Sequence, residues 1–229
     1  MQAKDVMTTK LVTAEADTSV RDIAKLMLAH HISGLPIVDK SQRVHGMVSE
    51  GDLMRRPESE TERKPSWWLE AVFSARDKAE DYIKSHGTTA GDVMTRDVLT
   101  VGEDMSVGDV ARLLEQRRIK RVPVVRDGKL VGIISRANLL HGLVAGGPGE
   151  LRPDAADDRS IRAALLKTLA DEAGINTAMV NVIVTDGVVQ LWGVVDSARE
   201  KKAAQLAAET TTGVKAVENH LGQLPAWTT

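Results

Sequence analysis

The sequence predicts a mixed α/β (α+β) fold: two copies of one βαββα unit, then a small αββαβ unit. Three observations carry this. The first is an internal repeat in register. Asp5-Val6-Met7-Thr8 returns as Asp92-Val93-Met94-Thr95, Ser19-Val20 as Ser106-Val107, and Leu35-Pro36-Ile37-Val38 as Val122-Pro123-Val124-Val125. The second is the closing motif of each copy, Gly46-Met47-Val48-Ser49-Glu50-Gly51-Asp52-Leu53 and Gly132-Ile133-Ile134-Ser135-Arg136-Ala137-Asn138-Leu139. The third is a Gly/Pro-rich stretch, residues 145–156, after which the pattern changes and a domain boundary is expected.

The first copy spans residues 1–55 and opens on an extended segment, Lys10–Thr13. Asp17-Thr18-Ser19 offers N-caps for a helix whose apolar positions Val20, Ile23, Ala24, Met27 and Leu28 recur at helical spacing. Gly34 and Pro36 lead into a buried strand, Leu35–Val38. The turn Asp39-Lys40-Ser41-Gln42 joins it to a second strand, Val44–Val48, and a helix starts at Ser49. His30-His31 stands near the first helix end, where a cationic side chain suits the helix dipole, and adjacent helical histidines diverge too far to share a metal.

Residues 56–89 interrupt the repeat. A charged, Pro-bounded linker precedes a helix capped by Ser66, with Trp68, Ala71, Val72, Ala75, Ala79, Tyr82 and Ile83 on one apolar face. Trp67, Trp68, Phe73 and Tyr82 are four of the chain's six aromatic residues, so this stripe reads as local core or as a contact with a second subunit. The second copy, residues 90–144, follows the first with a tighter turn, Arg126-Asp127-Gly128-Lys129.

From residue 157 to 224 the plan is helix, hairpin, helix, strand. Asp157 or Asp158 caps a helix bearing Ile161, Leu165 and Leu169, which Gly174 ends. Val180–Val184 alternates into Thr185-Asp186-Gly187, a strong hairpin signal, and Val188–Val195 returns. Ser197-Ala198-Arg199-Glu200 is a capping box for a helix stopped near Gly213, and Val214–Leu221 gives the last strand.

The closing motifs carry the chemistry. A strand running straight into a helix places backbone N–H groups and a partial positive charge where a phosphate can sit. Ser49 adds a hydroxyl, and Asp52 can accept hydrogen bonds from both hydroxyls of a ribose. Taken alone, Ser49-x-x-Asp52 is equally a capping box that serves its own helix. In the second copy Asn138 replaces the carboxylate and so loses the charge that strengthens such bonds.

The order helix, Ile-x-x-x-Pro strand, turn, strand and Gly-x-x-Ser-x-x-Asp/Asn resembles a tandem pair of cystathionine-β-synthase (CBS) motifs, a Bateman module. The resemblance covers about residues 1–55 and 88–144. It implies two related clefts for an adenosine compound (AMP, ATP, NAD or S-adenosylmethionine). Ser49 and Asp52 would serve one cleft, Ser135, Asn138 and Arg121 the other, with the strand prolines Pro36 and Pro123 beside them. Arg121 holds the place of an arginine that contacts phosphate in adenylate-sensing kinase subunits, within the run Arg117-Arg118-Ile119-Lys120-Arg121; a solvated helix end reads as well. The resemblance also implies a homodimer. The C-terminal unit, with its Asp-Gly-Val-Val-x-Leu-x-Gly-x-Val core, resembles a BON domain, a family associated with membranes or lipids. Gly187 and Gly193 also have a purely structural reason in turn geometry and close strand packing.

Composition narrows the alternatives. A net charge of −2 gives no bulk attraction to nucleic acid, and the net −3 from Asp154 to Thr229 gives none to anionic lipid. Without cysteine there is no disulfide, thiolate metal site or cysteine nucleophile, and the remaining histidines are scattered. The expectation is a non-catalytic, cytoplasmic regulatory protein that senses an adenosine ligand, needs no cofactor or metal, and relays the signal through the BON domain. The alternative is a ligand-independent dimeric scaffold that the BON domain tethers to a membrane or envelope partner.

Overall fold

The computed structural model describes residues 1–54, 82–145 and 156–224. The helix expected from Ser66, with Trp67, Trp68 and Phe73, and the linker residues 146–155 lie outside them. The described residues gather into two compact units. One draws on Val12–Leu99 and Asp127–Leu130, the other on Met1–Leu11, Thr100–Arg126 and Val131–Thr229.

The unit that holds most of the first repeat is built on α2 (Val20–Ala29), β1 (Gly34–Val38), β2 (Val44–Ser49), α3 (Glu50–Leu53) and α4 (Ala90–Val93). Ser19 caps α2 by accepting from the Asp22 N–H. Ile23 and Met27 are buried beneath it. Leu28, expected on the same face, is instead 77% exposed, because the helix buries a narrower stripe than its apolar residues offer. β1 and β2 pair antiparallel, from Gly34 opposite Ser49 to Val38 opposite Val44. The two histidines are not both helical: His30 is the C-cap, and His31 takes a left-handed φ of 51°. Residues 82–86 are helical, and Tyr82 and Ile83 there are exposed rather than part of a local core.

The other unit contains α1 (Ala3–Val6), β3 (Val101–Gly102), α5 (Val107–Gln116), β4 (Arg121–Arg126), most of β5 (Lys129–Ser135) and α6 (Arg136–Ala145). The strand order is β3-β4-β5, with β3 parallel to β4. Asp127 and Gly128 both take positive φ, which the tight hairpin turn needs. The unit continues into α7 (Ala156–Asp171), β6 (Val180–Thr185), β7 (Val188–Val195), α8 (Ala198–Thr210) and β8 (Ala216–Gln223). This sheet runs β6-β7-β8, antiparallel then parallel. Its core joins Ile161, Leu165 and Leu169 to Val182, Leu191 and Leu221. Asp158 does not cap α7 as expected: both its carboxylate oxygens accept at 2.8 Å from the Asp186 and Gly187 N–H groups, so it secures the hairpin turn.

The short leaders of the two repeats are exchanged. Ala3, Val6 and Met7 pack with Val110, Leu114, Val122 and Ile134 of the second repeat. Ala90, Val93 and Met94 pack with Ile23, Leu35 and Val48 of the first. Thr8 bridges to Ile133, and Thr95 to Met47. The exchange explains the glycine that opens each closing motif. A Cβ on Gly132 would lie 2.3 Å from Met7 Sδ, and one on Gly46 would lie 2.4 Å from Met94 Sδ. Each leader methionine lies where that side chain would stand.

Candidate functional site: the strand–helix corners

The first corner lies where β2 meets α3. Ser49 is extended, and both its N–H (2.8 Å) and its hydroxyl (2.6 Å) donate to Asp52 Oδ2. The capping-box reading is therefore realised. It occupies one carboxylate oxygen only, and among the described residues nothing donates to Oδ1. Asp52 is partly buried, so it presents an oriented, charged acceptor. The expectation of phosphate at the helix end is weakened, since Glu50 N–H, the first of α3, already donates to the Ser33 carbonyl at 3.2 Å.

The second corner, between β5 and α6, has the same frame and a different outcome. Ser135 donates through N–H (2.9 Å) and hydroxyl (2.6 Å) to Asn138 Oδ1. The amide of Asn138 then donates to the Val6 carbonyl at 3.1 Å and to Thr8 Oγ1 at 3.4 Å. Its four hydrogen-bonding positions are filled and only 6% of it is exposed. A carboxylate could not make the last two bonds. Asn138 thus ties the leader to the corner, whereas Asp52 keeps an oxygen open. Here too the first helical N–H, that of Arg136, is taken, by the Lys120 carbonyl.

The other candidates are spread around these corners. Pro36 and Pro123 are buried inside β1 and β4. Arg121 opens β4 half-buried, while Arg117, Arg118 and Lys120 are exposed, with Arg118 in a left-handed turn. No group of three or more metal-binding side chains comes together among the described residues. No described helix is long and apolar enough to cross a membrane.

Comparison with known proteins places both repeats and the C-terminal unit in described families. The CBS-domain model matches residues 3–59 and 90–145, and the BON-domain model matches 157–224. An uncharacterised protein of Methanocaldococcus jannaschii is 32% identical over 63% of this chain and 92% of its own length. The chain belongs to the CBS-domain family. Its CBS pair is followed by a C-terminal BON domain. The chloroplastic CBS-domain protein CBSX2 of Arabidopsis thaliana is 32% identical over 60% of this chain and 61% of its own length. A crystal structure of CBSX2 in complex with AMP superposes with a TM-score of 0.55 at 31% identity, covering 63% of this chain and 97% of that one.

A second constellation was missed from the sequence. Arg162 of α7 is 8% exposed, yet donates through Nε to the Val182 carbonyl at 2.7 Å and through Nη2 to the Met7 carbonyl at 2.6 Å. Burial pulls its pKa down to about 10, with Asp5 opposing, so it stays charged at neutral pH. Arg159 pairs with Asp5 at 2.9 Å and reaches Gln2 Oε1 at 3.0 Å. Trp192 of β7 is stacked between His141 of α6 and His220 of β8, with ring centroids 5.0 and 4.1 Å away. The available signal was Ile183, an apolar residue on the strand face that alternation assigns to solvent.

Proposed function

We propose that this protein is a non-catalytic sensor of an adenosine ligand, with AMP the first candidate, and that the first CBS corner is its principal recognition point. The observation that carries the reading is the open oxygen of Asp52, held by Ser49 in a family whose member CBSX2 crystallises with AMP. A ribose offers two hydroxyl donors, and a charged acceptor makes the stronger hydrogen bond. At the second corner the first N–H of α6 is likewise occupied, so a phosphate there falls to basic side chains, for which Arg121 is the candidate. Pro36 at the first cleft, and Pro123 at the second, would each act as rigid, non-donating wall.

The test is thermal unfolding over concentration series of AMP, ATP, NAD and S-adenosylmethionine. A ligand that binds only the folded chain raises the midpoint as its concentration passes the dissociation constant. A saturable rise with one compound is expected. Asp52→Ala should cost about 2 kcal/mol of binding, roughly thirtyfold in Kd. No shift with any compound, or a shift that Asp52→Ala leaves in place, contradicts the assignment.

A further inference from the structure

Two sets of side chains hold the same leader segment, residues 2–8. From the second CBS motif, Asn138 donates to the Val6 carbonyl and to Thr8. From the BON domain, Arg162 donates to the next carbonyl, Met7, while Arg159 holds Asp5 and Gln2. Adjacent carbonyls of one short segment are thus shared between the two domains.

Around this clamp the BON sheet is docked on the motif. Ile183 of β6 is 1% exposed and belongs to the motif's core cluster rather than to the BON core; Trp192 packs against that cluster as well. The dock is chemically imperfect. Asn181 Oδ1 and Thr185 Oγ1 are buried with no hydrogen-bond partner among the described residues. The Arg162 guanidinium is held by carbonyls, and no carboxylate is bonded to it among the described residues. Buried polar groups left unpaired regain water when a contact opens, so they favour a dock that separates over one that is permanent.

We propose that the second corner is a latch. Asn138 holds either the leader, with the BON domain docked, or the ribose of an adenosine ligand, with the BON domain released. This rests on the adenosine reading above. Every bonding position of Asn138 is filled, so a ribose can be held there only by taking bonds from Val6 and Thr8. The residue between them, Met7, is then left to the Thr8–Ile133 bridge and its packing over Gly132, and its hold on Arg162 weakens. Ligand at the second corner and docking of the BON domain oppose each other, and such coupling acts equally in both directions.

The test uses the full chain with Trp67, Trp68 and Trp227 changed to Phe, which leaves Trp192 as its single tryptophan. Ile183→Asp puts a charge in the dock without touching the BON core, and Arg162→Met removes the clamp. Both should shift Trp192 emission to the red and raise its quenching by acrylamide, with far-ultraviolet dichroism retained. In an Asp52→Ala background AMP should produce the same red shift, and Ile183→Asp should bind AMP more tightly. Emission unchanged by Ile183→Asp overturns the dock. The latch is overturned if AMP binds the unmodified chain by calorimetry but gives neither a red shift nor tighter binding in these variants; the first-corner reading then survives. No heat with AMP in the unmodified chain overturns the nucleotide reading and the latch together, and the Ile183→Asp arm then decides the dock alone.

Discussion

Asp52 and Asn138 occupy the same place in two copies of one motif and differ by one atom type. The carboxylate accepts two bonds from Ser49 on one oxygen and keeps the other. The amide accepts the same pair from Ser135 and spends its nitrogen on the leader. Asn138→Asp should therefore destabilise the fold, because the Val6 carbonyl loses its donor and a charge is buried beside it. A loss of about 1–3 kcal/mol is expected, read as a lower denaturation midpoint. An unchanged midpoint would mean the tie to the leader contributes nothing. The motif itself was legible in the sequence, as was the loss of charge at Asn138. What the amide does was not, since it depends on which leader lies against it.

Among the elements, those governed by local chemistry were read closely. β7 spans Val188–Val195 as the pattern required, and Asp186 and Gly187 take the positive φ values of the expected turn. Gly193 was read as a close approach. Its φ is 114°, and a Cβ there would stand 2.0 Å from the Met179 carbonyl oxygen. Because backbone blocks that space, Gly193→Ala should cost about 3 kcal/mol or more, visible as a large drop in melting temperature. A cost near that of a surface substitution would contradict the close approach. Elements governed by distant partners were not legible. The exchanged leaders look alike in both repeats, so the sequence alone does not show which copy each one covers. β6 reads as an alternating strand, but Ile183 on its outward face is buried by the second motif rather than by the BON helices. Asp158 looked like a helix cap because its turn partners are 28 and 29 residues away.

At the scale of the whole molecule, the Gly/Pro-rich linker marks a domain boundary, and across it the second CBS motif and the BON domain share buried residues. That contact should respond to pH through His141. Burial lowers its pKa from the ordinary value, so the neutral imidazole is favoured while it stays covered. It faces Trp192 and Asn181, with His220 and its partner Glu218 across the indole. A base whose pKa is depressed on burial contributes full stability above its free value, about 6.5, and loses it as pH falls toward the depressed one. Trp192 should therefore become more exposed as the solution is acidified through that window, and His141→Gln should flatten the response. A profile that is the same in both proteins would remove His141 from the contact.

The central claim is that the first corner recognises an adenosine ligand through Asp52. Calorimetric titration of AMP into the intact chain tests it most directly. The expected result is a saturable heat whose Kd rises roughly thirtyfold in Asp52→Ala, about 2 kcal/mol, while the fold is retained. No heat, or heat that Asp52→Ala leaves unchanged, would contradict it.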